Sequence, residues 1–325
     1  MTKYDVITIG SATVDNFFYT NIPELHKKKG RYIAYPVGSK FLVNEIDVES
    51  GGSATNTATS FSRLGLKVGC LVSLGNDENA NIILKQLKKE NVDFIGTIAD
   101  KRTGYATILD SKERDRTILI YYGANSELDF NKIDRKNLDT KWFYFGSMMG
   151  KSFETQKKLM VYARSKGIAV AWNPSQYQAK MGKELHPLLP YVDLLILNRE
   201  EAALVLGYRK PRLIKHMITE LHKLGPKFVC VTDGKHGAHL SYDNTKLKVH
   251  THPIKVVERT GAGDAFASSL LAGLIKFRDL NKALKIALIN SESVIKYRGA
   301  KNKLLTMKEM NEMLEITRVV IDKVK

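Results

Sequence analysis

The sequence predicts an α/β protein whose mainly parallel central sheet carries helices on both faces and supports a small β-rich flap. Three observations lead there. Short apolar runs recur along the chain, amphipathic stretches with helical spacing separate them, and two segments break that rhythm with the period-two alternation of half-exposed strands.

The apolar runs come in order as "YDVITIG", "KVGCLVSLG", "KWFYFGS", "GIAVAWNP", "VDLLILN" and "KFVCVTDG". Their near-continuous hydrophobicity fits strands covered on both faces, as in a parallel sheet. Between them lie helical patterns such as "GGSATNTATSFSRLG", "NANIILKQLKKENV", "SFETQKKLMVYARSKG" and "RLIKHMITELHKLG". Residues 13–50 and 103–122 alternate instead, with "DSKERD" as a hairpin-like turn, and are expected to join in space as a flap or lid. From about residue 264 the chain is dominated by helix patterns. With no Pro/Ser-rich linker, internal repeat or low-complexity tract, residues 1–325 read as one domain with a lid.

Composition narrows the function classes. At 325 residues and 43% hydrophobic, the chain can bury a substantial core, which excludes a disordered or fibrous protein. Cys70 and Cys230 lie far apart with no CxxC pair, so neither a disulfide framework nor a cysteine metal site is indicated. The start "MTKYDVITIG" lacks a signal-peptide pattern, and no window approaches a membrane span; a cytoplasmic protein with no membrane partner is expected. The formal charge of +17 would attract nucleic acid, yet the basic residues are scattered without an arginine block or basic tail, so a solvated surface is the expected reading.

Four stretches carry chemistry. In "VVERTGAGDAFASSLLAG", Gly261, Ala262 and Gly263 open a helix whose free N–H groups and dipole suit a phosphate. Asp264 follows at once, either as a first-turn acid offsetting the dipole or as a general base toward a hydroxyl. In "SGGSATNTATSFSRLG", Gly51 and Gly52 permit close backbone approach, and Asn56 offers a donor and an acceptor to a polyhydroxylated ligand. In "LNREEAALVLG", Asn198 and Glu201 either cap a helix reciprocally or order the waters of a magnesium ion. In "VCVTDGKHGAHL", Thr232, Gly234 and Gly237 form a turn that reaches phosphates or simply closes a hairpin. Walker, dinucleotide-binding, HExxH and GxSxG patterns are all lacking.

Together and in this order, these features resemble the ribokinase-like (PfkB) carbohydrate kinase family across essentially the whole chain. The resemblance implies a three-layer α/β/α core with a β-rich lid and an ATP- and Mg2+-dependent kinase acting on a hydroxyl of a sugar. It implies Asp264 as base, with the Gly261, Ala262 and Gly263 amides as anion hole. Asp15, Gly51, Gly52 and Asn56 would hold substrate hydroxyls. Asn198, Thr232, Gly234 and Gly237 would line the nucleotide cleft, with Asn290 near the base and Glu201 on magnesium through water. The lid would exclude water from the reacting phosphoryl group.

The sequence also departs from the family pattern. "ERTGAGD" places Glu258 where an Asp is common and adds Arg259 beside the phosphates. Many relatives bind K+ near the anion hole through this segment and a later one, here "KYRGAKNKLL", which marks Glu258, Thr260, Gly299 and Lys303. The Lys303 ammonium would occupy or cover the ion's position; a solvent-facing Lys303 is the alternative. Phe17, Phe18 and Tyr105 are candidates to stack on a nucleobase, so a nucleoside kinase is the nearest rival reading. A non-catalytic member that binds nucleic acid or protein is the rival from another class. The lid's unpaired edges suggest a homodimer.

Overall fold

The computed structural model of the chain describes every residue except 1, 21, 29, 113–115 and 325, so the "DSKERD" turn lies partly outside the described residues. A ten-stranded sheet forms the centre. Its order runs Ile321–Lys323, Thr245–Val249, Ala238–Tyr242, Phe228–Thr232, Leu194–Asn198, Ala169–Trp172, Thr140–Phe145, Tyr4–Ile9, Val68–Leu71 and Val92–Phe94. From Val92–Phe94 to Phe228–Thr232 all neighbours are parallel, and these strands include all six apolar runs of the sequence. The last three strands are antiparallel.

Successive side chains of a strand point to opposite faces, and the two faces build two cores. Val6, Cys70, Ile196 and Cys230 pack toward the helices Ser53–Arg63, Ala262–Phe277 and Leu280–Val294. Ile7, Phe143, Trp172 and Val229 pack on the other side toward Gly150–Lys166, Arg199–Val205 and Ile214–Lys223. Both cysteines are buried and unpaired, and burial pushes the Cys70 thiol up to about 12.

A second sheet of four strands, in the order Arg116–Tyr121, Gly104–Asp110, Thr13–Tyr19 and Glu45–Gly51, gathers strands from the two alternating segments. On one of its faces Phe17, Tyr19, Ala106 and Ile108 form a small apolar cluster. Among the described residues no helix is long and apolar enough to cross a membrane.

Candidate active site

The site begins where the second sheet hands the chain to the first layer of helices. Glu45–Gly51 ends in Gly51, and Gly52 caps the helix Ser53–Arg63 at φ 96°. A Cβ at Gly51 would lie 1.9 Å from Asp15 Oδ2, and one at Gly52 only 2.5 Å from the Ser11 carbonyl oxygen. The pair of glycines therefore makes room for the Asp15 carboxylate and supplies the left-handed backbone the turn needs. Asp15 accepts a hydrogen bond from Thr13 Oγ1 at 2.6 Å, and burial pushes its carboxyl above the usual carboxylate range.

The helix that follows is rich in Ser and Thr, yet residues 54–61 are all buried. Two of its hydroxyls bond back toward the preceding turn: Thr55 Oγ1 donates to Gly51 O at 2.6 Å and Thr57 Oγ1 to Ser53 O at 2.7 Å. Small side chains let this helix lie close against Ala262–Phe277, where Ser268 Oγ donates to Ser60 Oγ at 2.7 Å. That packing joins two motifs 208 residues apart. Asn56 Nδ2 donates to Asp264 Oδ2 at 2.8 Å.

Asp264 sits in the first turn of its helix, with Gly261 as N-cap at φ 76°. A Cβ on Gly261 would come within 2.6 Å of the Ala300 carbonyl oxygen, so the turn closes tightly on a C-terminal loop. Burial pushes the Asp264 carboxyl up to about 6, against the lowering effects of the Asn56 hydrogen bond and the Lys301 charge. The side-chain oxygen of Asn56 and the hydroxyl of Tyr144 are buried without a protein partner, and the Tyr144 hydroxyl feels the charges of both Asp264 and Glu201.

On the other side of the Gly261 turn lies a cavity of about 890 Å³. Thr232, Gly234 and Gly237 line it opposite Arg259, Ala262 and Gly263. It is thus bounded by the carboxyl ends of strands and a helix N-terminus, where an anionic ligand meets free N–H groups. Asn198 lies beside Thr232 in the sheet register. Asn198 and Glu201 cap each other: Glu201 N–H donates to Asn198 Oδ1 at 2.8 Å, and Asn198 N–H donates to Glu201 Oε2 at 2.9 Å. Burial pushes Glu201 up to about 7. A single buried carboxylate fits a magnesium ion held mainly by water and phosphate; among the described residues no group of three or more His, Cys, Asp or Glu could hold a metal directly. A second cavity of about 260 Å³ lies between Phe17, Tyr19 and Ile108 of the smaller sheet and the segment Lys255–Glu258, with Arg116 and Arg298 among its walls.

A sequence model described as "pfkB family carbohydrate kinase" matches residues 8–307. The chain belongs to that family. It is therefore a phosphotransferase with an alcohol group as acceptor. It is 27% identical over 311 residues to an ATP-dependent 6-phosphofructokinase of Thermoanaerobacterium thermosaccharolyticum, covering 92% of this chain and 90% of the relative. It is 25% identical to a cytidine kinase of Thermococcus kodakarensis, covering 91% and 97%. A putative ribokinase II of E. coli, solved with ATP and Mg2+, superposes with a TM-score of 0.81 at 21% identity, covering 96% of this chain and 99% of that one. The fold is ribokinase-like.

Two residues singled out in the sequence of this pfkB-family kinase, Asn290 and Lys303, lie outside the larger cavity, Lys303 facing solvent as the alternative reading had it. Asn290 is fully buried: its Nδ2 donates to Ser269 Oγ at 2.7 Å and its Oδ1 accepts from Leu305 N–H at 2.9 Å. The pocket wall on that helix is made instead by Leu288, Ser291 and Glu292, because Asn290 faces the neighbouring helix. Lys303 is exposed, its ammonium 5.3 Å from the centre of the Tyr297 ring. Glu258, Thr260 and Gly299 do come together, with Glu258 accepting from Thr260 Oγ1 and, at 3.1 Å, from Gly299 N–H.

The buried ammonium of this region belongs to Lys301, which is 5% exposed and which motif reading passed over. It donates to Ser50 O and, at 2.6 Å, to Ser50 Oγ. Its only sequence signal is the small pair Gly299–Ala300 directly ahead of it, which allows the loop to approach the Gly261 turn.

Proposed function

We propose that the chain transfers the γ-phosphoryl group of ATP, with Mg2+, to a hydroxyl of a sugar. The observation that carries this reading is the 2.8 Å bond from Asn56 to Asp264, which sets a polar acceptor cradle against a carboxylate. That carboxylate borders the helix N-terminus facing the larger cavity. Asp15, Gly51, Gly52 and Asn56 hold the acceptor's hydroxyls. Asp264 takes the proton of the reacting hydroxyl as its oxygen attacks the γ-phosphorus in line, and the bond to the bridging oxygen of the leaving diphosphate breaks. The amides of Gly261, Ala262 and Gly263 stabilise the charge on the transferring group.

Asn198, Thr232, Gly234 and Gly237 bound the nucleotide, and Glu201 orients the water shell of Mg2+. When bound, that ion offsets charge on the β- and γ-phosphates. Glu258, Thr260 and Gly299 mark the region for a K+ ion. The four-stranded sheet acts as a lid that excludes water during transfer. The exposed Ile118, Leu119 and Ile120 on its edge strand support a homodimer through the lid, a reading checked by sedimentation.

A nucleoside acceptor is the second reading. It is favoured by the stacked Phe17 and Tyr19 rings, whose centroids lie 6.4 Å apart in the wall of the smaller cavity. A phosphorylation panel of pentoses, hexoses, sugar phosphates and nucleosides decides between them: a preferred sugar supports the first reading, and turnover of nucleosides alone overturns it.

A further inference from the structure

We propose that Lys301 is a positioning residue of the acceptor site: its buried ammonium ties the di-glycine turn in place and supplies a positive charge among the site's carboxylates. This inference rests on the proposed roles of Asp15 and Asp264.

A buried ammonium is costly unless it is hydrogen-bonded and faces negative charge. Lys301 has three acceptors, and all belong to one turn: Ser50 O, Ser50 Oγ at 2.6 Å and Thr55 Oγ1 at 3.2 Å. Ser50 immediately precedes Gly51, and Thr55 Oγ1 itself bonds Gly51 O at 2.6 Å. The ammonium therefore holds both ends of the turn against which Asp15 packs.

The carboxylates that act on it come from three separate elements: Asp15 and Glu49 on two strands of the smaller sheet, and Asp264 at its helix start. Among the described residues no carboxylate lies within ion-pair distance of Lys301, so its charge is shared across the site and no single partner neutralises it. The charge of Asp15 raises the proton affinity of Asp264, that of Glu258 raises Asp15, and Lys301 lowers both carboxyls. Two carboxylates gathered at one acceptor need such a charge if both are to stay ionised.

The rear of the loop is braced as well. Arg63 donates to Lys301 O at 3.2 Å and to Leu304 O at 3.0 Å, while forming two bonds of 2.7 and 2.8 Å with Glu90. The backbone that carries Lys301 is thus fixed from behind, and its side chain reaches forward into the site.

The test uses the full-length protein and the best acceptor of the panel. Lys301→Met keeps the length of the side chain and removes the charge. Its acceptor KM is expected to rise about tenfold and kcat to fall by a similar factor, while ATP binding without acceptor stays within about twofold. Adding ethylammonium to Lys301→Ala is expected to restore part of the lost turnover. If folded Lys301→Met, checked by circular dichroism and melting, keeps the wild-type acceptor KM and kcat, the proposal is overturned.

Should that variant fail to fold, Ser50→Ala removes one acceptor of the ammonium alone; an unchanged acceptor KM there overturns the proposal equally. Asp264→Asn separates the two readings. If it retains turnover, the proposed roles in the site fail, whereas an inactive Asp264→Asn beside a wild-type-like Lys301→Met removes only the lysine.

Discussion

Asp264→Asn is expected to make the protein more stable and nearly inactive at once. The carboxyl is raised from 3.8 to about 6, chiefly by burial. Its ionised form is therefore disfavoured in the folded state by about 2 pH units, or about 3 kcal/mol at most. The side chain keeps partial solvent contact, which takes the expected gain down to about 1–3 kcal/mol.

The sign follows from the direction of the shift. Below about pH 4 the group is protonated in both folded and unfolded chains and costs nothing. As pH rises through 6 the folded state must ionise a buried acid, and the penalty becomes complete. An asparagine avoids it and still accepts the Asn56 hydrogen bond through its own oxygen.

Melting of the ligand-free protein should show the variant raised by roughly 2–4 °C at pH 8 and by little at pH 4.5. Turnover of the same variant should fall about 10²- to 10⁴-fold. Wild-type kcat/KM should fall on the acid side with a midpoint near 6. Equal melting shifts at both pH values, or a destabilised variant at pH 8, would show that the raised carboxyl is no strain on the fold and would sink the argument.

Asn290→Ala should lower stability by about 2–4 kcal/mol, because it leaves the buried Leu305 N–H and Ser269 hydroxyl without their partner, and should leave ATP affinity unchanged; a tenfold weaker nucleotide Kd in the folded variant would return Asn290 to the base pocket. Gly261→Ala places a Cβ 2.6 Å from a backbone oxygen at φ 76°, so a loss of about 2 kcal/mol or more, read by urea unfolding, should accompany loss of turnover. Glu201→Gln preserves the shape of the cap with Asn198 and removes a buried charge, and so should melt roughly 2–4 °C above wild type at pH 8 while the Mg2+ concentration for half-maximal activity rises about tenfold or more. An unchanged Mg2+ requirement would reduce Glu201 to a capping residue.

The six central strands were legible because a strand buried on both faces must be apolar at nearly every position, and "VDLLILN" or "KFVCVTDG" allows few other folds. The strands of the smaller sheet were legible as alternation, but their pairing was not. Thr13–Tyr19 lies between Gly104–Asp110 and Glu45–Gly51, a neighbourhood set by closure over the core and not by local spacing. The Asn198–Glu201 pair shows why residue types alone leave a role open: the cap is geometrically complete, and the same carboxylate is nonetheless buried enough to hold its proton up to about 7.

The lysines of "RGAKNK" mark the limit most sharply. Both Lys301 and Lys303 are flexible cations two residues apart in an irregular loop, so no periodicity assigns one to the interior. What decides between them is the close approach of Ala300 to Gly261, which turns Lys301 inward and leaves Lys303 over Tyr297 at the surface. That approach joins residues about 40 positions apart in sequence, and the oxygens that satisfy the buried ammonium, on Ser50 and Thr55, lie about 250 positions away. A buried cation becomes affordable only where the fold has already gathered hydrogen-bond acceptors and several carboxylates, so its place is a property of the assembled site. The loop that follows the two signature motifs is for that reason where this kinase's own chemistry is to be sought: the glycine turns are fixed by sterics, while the charge set among the acceptor-side carboxylates is free to differ.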